Sequence, residues 1–354
     1  MEVVAVDLGG TNIRAARVNS AGKILARGKV PTHGGEGMAA VAERIAELID
    51  KVRSPATCAA GIGTPGVPDP VSGDMLSPAV NIPGSAGFPL CRTLSRRTGL
   101  RVMADNDGNL AALGESWLGA GAGEPTVLIF TIGTGIGGGF VVDGKVYHGH
   151  HNLGTEFGHV SIDFAGRNCA CGGKGCVEAY ASAAALGRDA RDALQLVIDV
   201  NSSEPAAGRT SLSKAGFPPG SQKTVLLKIC GGAGKIDRVD AQMVCDGARK
   251  NDPLACFLLD RCCDWLACAV GSLINALNPS CVILGGGMAL AGETVTSRVM
   301  KALQRGRAYG PILKNCKLRV AKLGDDSGLL GAARMALLTC EPHNETCPAS
   351  YRGS

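Results

Sequence analysis

"VVAVDLGGTNIRAARVNSAGKI" at residues 3–24 and "VLIFTIGTGIGGGFVVDGKV" at residues 127–146 follow one plan. Each runs from an apolar strand through a turn rich in Gly and Thr into a second strand, then closes on a polar turn at Gly-Lys. The tight connection between two apolar runs predicts a β-hairpin in both places. One such hairpin carries little information. Two of them, separated by about the length of a domain, predict two related domains facing one another across a cleft.

The stretch between them alternates. "GMAAVAERIAELIDKVR" (37–53) has helical spacing, "TCAAGIGTPGV" (57–67) reads as a strand running into a Pro/Gly loop, and "LRVMADND" (100–107) is a strand followed by the helix "NLAALGESWLG". That alternation places the chain in the α/β class. Residues 201–223, rich in Ser, Pro and Gly, are expected to form an exposed insertion, and the polar tail 340–354 to fray.

The composition narrows the function. In 354 residues the hydrophobic fraction is 45% but aromatics are only 4%, so the cores must be built from Ala, Val, Leu and Ile. The net charge of +5 comes without any Lys/Arg block, which argues against a nucleic-acid or membrane-binding face. "MEVVAVDLGG" opens the chain without the basic and apolar regions of a signal peptide, and "WLACAVGSLINALNP" (265–279) is interrupted by Asn275 and Asn278, so it reads as a buried helix. A cytoplasmic location is expected. The 15 cysteines are odd in number and scattered, with Cys262 and Cys263 adjacent; twelve of them read as reduced thiols rather than a disulfide framework.

Three stretches carry chemistry. In "DLGGTN" the backbone N–H groups around Gly9 and Gly10 and the hydroxyl of Thr11 suit phosphate oxygens, while Asp7 at the strand end can hold a water on Mg²⁺. An ordinary glycine-rich hairpin accounts for that segment equally well. The second turn offers Thr131, Gly133, Thr134 and Gly135 in the same manner; neither turn is followed by the Gly-Lys-Ser/Thr of a P-loop or by the helix of a dinucleotide fingerprint. In "ADNDGN" (104–109) both Asp105 and Asp107 are of the right type to take a proton from a hydroxyl, with Asn106 between them, and the same residues also suit a helix N-terminus.

The third is "GHVSIDFAGRNCACGGKGCVEAY" (158–180). Cys169, Cys171 and Cys176 form C-x-C-x4-C with His159 upstream, a set that satisfies tetrahedral zinc, and Gly172, Gly173 and Gly175 allow the loop to curl around the ion. Four protein ligands close the coordination shell, so the zinc would be structural. The C-x-x-C of a redox centre is absent.

Taken together and in order, "DLGGTN", "GIGTPGV", "NIPG", "DNDGN", "TIGTGIGGG", "GTEFGH", "CACGGKGCVE" and "VILGGG" resemble the ROK family of sugar kinases and repressors, most closely its bacterial glucokinases, over residues 3–338. The resemblance implies the actin-like, ribonuclease H-related ATPase fold, with two α/β domains around a cleft that holds sugar and ATP. The small domain is expected at 1–120 plus about 326–342 and the large domain at 121–325, with the zinc loop at 159–176 and a tail at 343–354. It implies phosphate contacts from Asp7, Gly9, Gly10, Thr11 and Asn12 and from Thr131, Gly133, Thr134 and Gly135, and an adenosine segment at Gly285 and Gly286. Asp107 becomes the catalytic base, and Asn81, Asn106, Asp107, Glu156, His159 and Glu178 the sugar ligands.

Three departures stand out: Gly108 where Ala is usual, no tryptophan after "NIPG", and the long insertion at 201–223. The implied cofactors are ATP, Mg²⁺ and a structural Zn²⁺, and the implied state is a homo-oligomer, a dimer or tetramer. His159 belongs both to the metal set and to the sugar set, so one ring nitrogen is expected on zinc and the other toward a sugar hydroxyl. The expected reaction is phosphorylation of glucose at the 6-hydroxyl. Another hexose, such as N-acetylmannosamine, N-acetylglucosamine, allose or fructose, is the alternative. A sugar-responsive regulator without its DNA-binding domain fits less well, because the first phosphate segment already starts at Asp7.

Overall fold

A computed structural model of the chain describes residues 1–79, 81–201, 212–213 and 216–340. These pack as two compact units, one comprising Met1–Leu110 and the described part of Gly328–Ser354, the other Ala111–Ser327.

The first unit opens with β1 (Glu2–Leu8), β2 (Asn12–Asn19) and β3 (Ile24–Pro31), then α1 (Met38–Val52), β4 (Thr57–Thr64), α2 (Leu90–Thr98), β5 (Arg101–Asn106) and the start of α3 (Asp107–Leu118). Its sheet runs β3-β2-β1-β4-β5, antiparallel on the β3-β2-β1 side and parallel from β1 to β5. Val3, Val4, Ala5 and Val6 are fully buried, as a central strand covered on both faces requires. In β3 every second residue is exposed, the mark of an outer strand with one wet face. Helix α1 buries Met38, Val41, Ala42, Ile45, Leu48, Ile49 and Val52 at helical spacing and packs on β2 and β3.

The second unit repeats the arrangement. It contains β6 (Thr126–Ile132), β7 (Ile136–Val142), β8 (Lys145–Val146), α4 (Glu178–Ala181), α5 (Ala183–Asn201), α6 (Leu226–Ile229), α7 (Ala241–Arg249), α8 (Pro253–Leu277), β9 (Cys281–Gly285), α9 (Glu293–Ala302), α10 (Gly310–Leu313) and β10 (Lys317–Val320). Its sheet order, β8-β7-β6-β9-β10, has the same pattern of antiparallel and parallel neighbours. Strands β1 and β6 share even their burial sequence, four consecutive buried residues between half-buried ones. Both quoted hairpins are therefore the first two strands of duplicated sheets.

The chain returns to the first unit through α11 (Ser327–Cys340). The other crossing falls inside α3, between Leu110 and Ala111, some residues before the position 120 expected from the sequence. Helix α8 is the buried helix read from "WLACAVGSLINALNP": it starts on a Pro253 capped by Asp252 and stops at Asn278, whose φ of 47° ends it. Among the described residues no helix is long and apolar enough to cross a membrane. Of the expected insertion, residues 202–211 and 214–215 lie outside the described residues, as does the tail from 341 on; the insertion's described end includes a short 3-10 turn at Ser221–Lys223.

Candidate active site and metal cluster

The first glycine turn closes β1 onto β2. Gly9 N–H donates to Asn12 O at 3.0 Å, so that donor is used inside the turn, while Gly10 and Thr11 stand exposed at its tip. Thr32, fully buried, supports the turn from behind: its Oγ1 donates to Gly9 O at 2.6 Å and its N–H to Thr11 O at 2.9 Å. Asp7 stands opposite Arg14 in the hairpin register, and Arg14 Nε donates to Asp7 Oδ2 at 3.0 Å. That pairing occupies one of the two carboxylate oxygens expected to serve Mg²⁺. The other, Oδ1, faces Gly63 and Gly328, where the missing side chains leave space.

The "ADNDGN" segment resolves into three roles. Asp105, at the end of β5, is buried, and its Oδ1 accepts from Asn106 N–H (2.7 Å) and Asn109 Nδ2 (2.9 Å). Asn106 caps α3: its Oδ1 accepts from Gly108 N–H at 2.8 Å and its Nδ2 donates to Gly66 O at 2.9 Å, leaving one amide hydrogen for other use. Asp107, the first residue of α3, is exposed. The helix-terminus reading of this segment is thus correct for Asn106, and only Asp107 presents a carboxylate to solvent. Asn81 is also exposed, in the left-handed region at φ 64°, on a loop tied to the start of α1 by Met38 N–H donating to Pro83 O at 2.9 Å.

In the second unit the glycine turn between β6 and β7 is consumed in the same way, with Gly133 N–H donating to Gly135 O at 2.9 Å. Thr134 is exposed at the tip, and Thr131 Oγ1 lies beside Gly137, where a Cβ would come within 2.7 Å of it. Glu178 backs the turn: its Oε2 accepts from Ile136 N–H at 2.8 Å, and a Cβ at Gly135 would overlap that oxygen. Gly133 and Thr134 form one wall of a cleft of about 590 Å³, the others being the start of α5, the start of α7 and Gly287–Met288. That volume suits a nucleoside.

Gly285 and Gly286, the expected adenosine residues, sit one step away from this cleft. Gly285 is buried in β9, and Gly286 (φ 81°) lies so close to the Ile132 backbone that no Cβ fits. Gly287 and Met288, which follow them, line the cleft. The sequence reading also missed Arg191, held by its bond to Val239 O at 2.8 Å, and Asp240 and Gln242 on α7 and its cap.

"EFGH" forms a 3-10 turn clamped to β7. Phe157 is buried against Phe130 and fills the space left by Gly138, and a Cβ at Gly158 would overlap Ile136 O. Glu156 and His159 are thereby left exposed on either side of a buried pair, with His159 N–H donating to Glu156 O at 3.0 Å. Thr155 before them has φ 71°, a costly conformation for a β-branched residue, and that strain sits directly beside Glu156.

His159, Cys169, Cys171 and Cys176 bring one ligand atom each to within 4.8 Å of one another. Cys169 Sγ lies 3.7 Å from His159 Nδ1, and Cys171 Sγ lies 3.6 Å from Cys176 Sγ. Zinc–sulfur bonds of about 2.3 Å give a tetrahedron with edges of about 3.8 Å, so the set fits zinc; the sulfurs are too far apart for a disulfide. Paired β-bridges, Ser161 with Cys176 and Asn168 with Lys174, and the left-handed Gly172 and Gly175 bend the loop into this arrangement. Gly173 N–H donates to Cys171 Sγ and holds that thiol below its ordinary pKa, whereas burial pushes Cys176 up to about 12. Since Nδ1 faces the sulfurs, Nε2 is the ring nitrogen left for a second partner. The other oxygen of Glu178, Oε1, is 4.0 Å from Cys169 Sγ, so this carboxylate touches both the glycine turn and the cysteine cluster.

Duplicated α/β units with matched glycine turns and a nucleoside-sized cleft define an actin-like ATPase fold. The family model "ROK family" matches residues 3–338, and the chain belongs to the ROK family. It is 34% identical to a glucokinase of Thermotoga maritima over 94% of this chain and 96% of that protein. Among solved structures it is similar to the ROK hexokinase of Thermus thermophilus, at 35% identity and a TM-score of 0.74, covering 96% of this chain and 99% of that one. It is similar also to a ROK family glucokinase of Streptomyces griseus solved with glucose and AMPPNP, at 30% identity and a TM-score of 0.75, covering 96% and 100%.

Proposed function

We propose that the chain is an ATP-dependent hexose kinase that phosphorylates glucose at its 6-hydroxyl. The observation that carries the reading is the position of Glu178, with one oxygen on the N–H of Ile136 in the phosphate turn and the other beside the cluster that contains His159. A sugar ligand placed there is registered against the turn that would hold the nucleotide phosphates.

In this reading Asp107 accepts the 6-hydroxyl proton as that oxygen attacks the γ-phosphorus. The new bond joins O6 to phosphorus, the bond to the β-phosphate oxygen breaks, and ADP leaves. Phosphoryl transfer gives a protein little covalent work, so alignment and charge stabilisation dominate. Asp105 is buried, with its Oδ1 accepting two internal hydrogen bonds, and so is less accessible to a substrate hydroxyl than the exposed Asp107. Gly10, Thr11 and Thr134 stand at the tips of the two turns and would meet phosphate oxygens. Asn81, Asn106, Glu156, His159 and Glu178 would hold the sugar hydroxyls. Asp7 Oδ1 would hold Mg²⁺ through water, and that ion would neutralise phosphate charge. Zinc on His159 Nδ1 and the three cysteines would fix the imidazole tautomer, so that Nε2 meets a sugar hydroxyl.

A coupled assay of ADP release over a panel of hexoses tests the proposal. Glucose should give the highest kcat/KM of the panel. ADP release no faster with any hexose than without sugar would overturn it.

A further inference from the structure

The loop that carries the cysteines has a second fastening, made by residues outside the metal set. Arg167 N–H donates to Tyr180 Oη at 2.6 Å, and its guanidinium donates to Ala179 O (3.0 Å) and to Asp189 Oδ2 (2.9 Å). The guanidinium carbon lies 4.7 Å from the ring centre of Tyr180 and 5.1 Å from that of Trp265, and these two rings meet edge to face at 4.9 Å. Tyr180 Oη also donates to Asp163 Oδ2 at 3.3 Å, and a Cβ at Gly166 would overlap that hydroxyl. One arginine side chain thus joins the loop to α4, α5 and α8 through charged hydrogen bonds and aromatic faces, the strong forms of such contacts.

Tyr180 is two residues beyond Glu178 on the single turn of α4, and Arg167 is two residues before Cys169. We infer that Arg167 is a positioning residue for sugar binding, holding the loop in register with the helix that carries Glu178, and that it does so independently of the metal cluster. The inference rests on the reading that His159 and Glu178 contact the sugar. The metal then sets the orientation of one ring, and Arg167 sets the place of the loop that bears it. Loss of either should weaken sugar binding, but only loss of Arg167 should do so with the metal still bound.

The test compares the full chain with its Arg167→Met, Arg167→Lys and Tyr180→Phe variants, each in a Trp117→Phe background that leaves Trp265 as the one tryptophan. Zinc per chain, Trp265 emission, kcat, and KM for glucose and for ATP are measured. Glucose turnover by the chain with Arg167 intact is measured first and decides the kinase reading by itself. Arg167→Met should raise the glucose KM roughly tenfold while kcat and the ATP KM change by less than about twofold. Zinc content should be unchanged and Trp265 emission altered. Arg167→Lys, which keeps a cation over the rings, should recover part of the affinity, and Tyr180→Phe should show a smaller rise of the same kind. An unchanged glucose KM in Arg167→Met, an equal rise in the ATP KM, or loss of zinc along with Arg167 would each overturn the inference. If Arg167→Met does not fold, the other two variants decide, and a wild-type glucose KM in both overturns it.

Discussion

The carboxylate of Glu178 occupies the space that a Cβ at residue 135 would need, so glycine at 135 and glutamate at 178 are packed as a pair. The hydrogen bond from Ile136 N–H, 2.8 Å, fixes the carboxylate against the second glycine turn. Any displacement of Glu178 therefore also moves a group 4.0 Å from the cysteine cluster.

Gly135→Ala follows from that contact. The added methyl should push Glu178 off the turn and raise KM for both glucose and ATP, with kcat/KM falling by about 10- to 100-fold. Steady-state kinetics with each substrate varied in turn checks this, and an effect confined to ATP would show that Glu178 serves the turn alone.

Gly287→Leu probes the cleft in the second unit. A Cβ at Gly287 meets nothing within 4 Å, and the residue lines the cleft, so a larger side chain enters it without straining the core. The ATP KM should rise by roughly tenfold or more, with the glucose KM and Tm close to those of the parent. A normal ATP KM would place the adenosine elsewhere.

Glu115 gives a prediction about stability. It is fully buried, and its carboxylate accepts from the N–H groups of Ala120 (2.7 Å), Lys322 (2.9 Å) and Leu323 (2.7 Å), joining α3 to the connection between β10 and α11. Glu115→Ala removes the acceptor of three part-buried donors and should cost about 2–5 kcal/mol in all, less than three times the ~1–3 kcal/mol of a fully buried unpaired donor because water reaches some of them. Denaturant unfolding measures it, and a loss below about 1 kcal/mol would mean that water replaces the carboxylate.

Much of this architecture is legible in the sequence because the decisive signals are local. The two hairpins announce themselves by apolar runs on either side of Gly and Thr, and C-x-C-x4-C with His159 names by spacing a candidate ligand set whose ligand atoms the fold brings within 4.8 Å of one another. The signals that escaped are long-range. Thr32 supports the first turn from the end of β3, Glu115 meets Lys322 across the chain, and Arg191 reaches its cleft by a helix face that looks ordinary in sequence. Between Asp105 and Asp107 composition could not choose, since both types suit a base; what separates them is the end of β5, which buries the first and leaves the second exposed at the start of α3. The expected adenosine segment at Gly285 and Gly286 is shaped by a long-range contact as well. Gly286 is a glycine because it passes the Ile132 backbone, and the chain turns toward the cleft only at Gly287.

The metal reading separates into two variants. Cys171→Ser should lower both zinc per chain and Tm, because a closed tetrahedral site contributes folding free energy. His159→Cys keeps a possible ligand and should retain much of the zinc while the glucose KM rises, the loss of one substrate hydrogen bond being worth about 0.5–1.5 kcal/mol. Metal analysis with parallel kinetics checks both. A wild-type glucose KM in a zinc-loaded His159→Cys protein would make the histidine a metal ligand only.

The central claim, that Asp107 is the base of a sugar kinase and Asp105 a buried strut, is tested most directly by measuring kcat and glucose binding in Asp107→Asn beside Asp105→Asn. Asp107→Asn keeps the shape and removes the base, so kcat should fall by at least ~10²-fold with glucose affinity changed far less. Asp105→Asn should lower Tm, and the fraction that folds should keep most of its kcat. Near-parental turnover in Asp107→Asn, or a collapse of kcat in well-folded Asp105→Asn, would contradict the account.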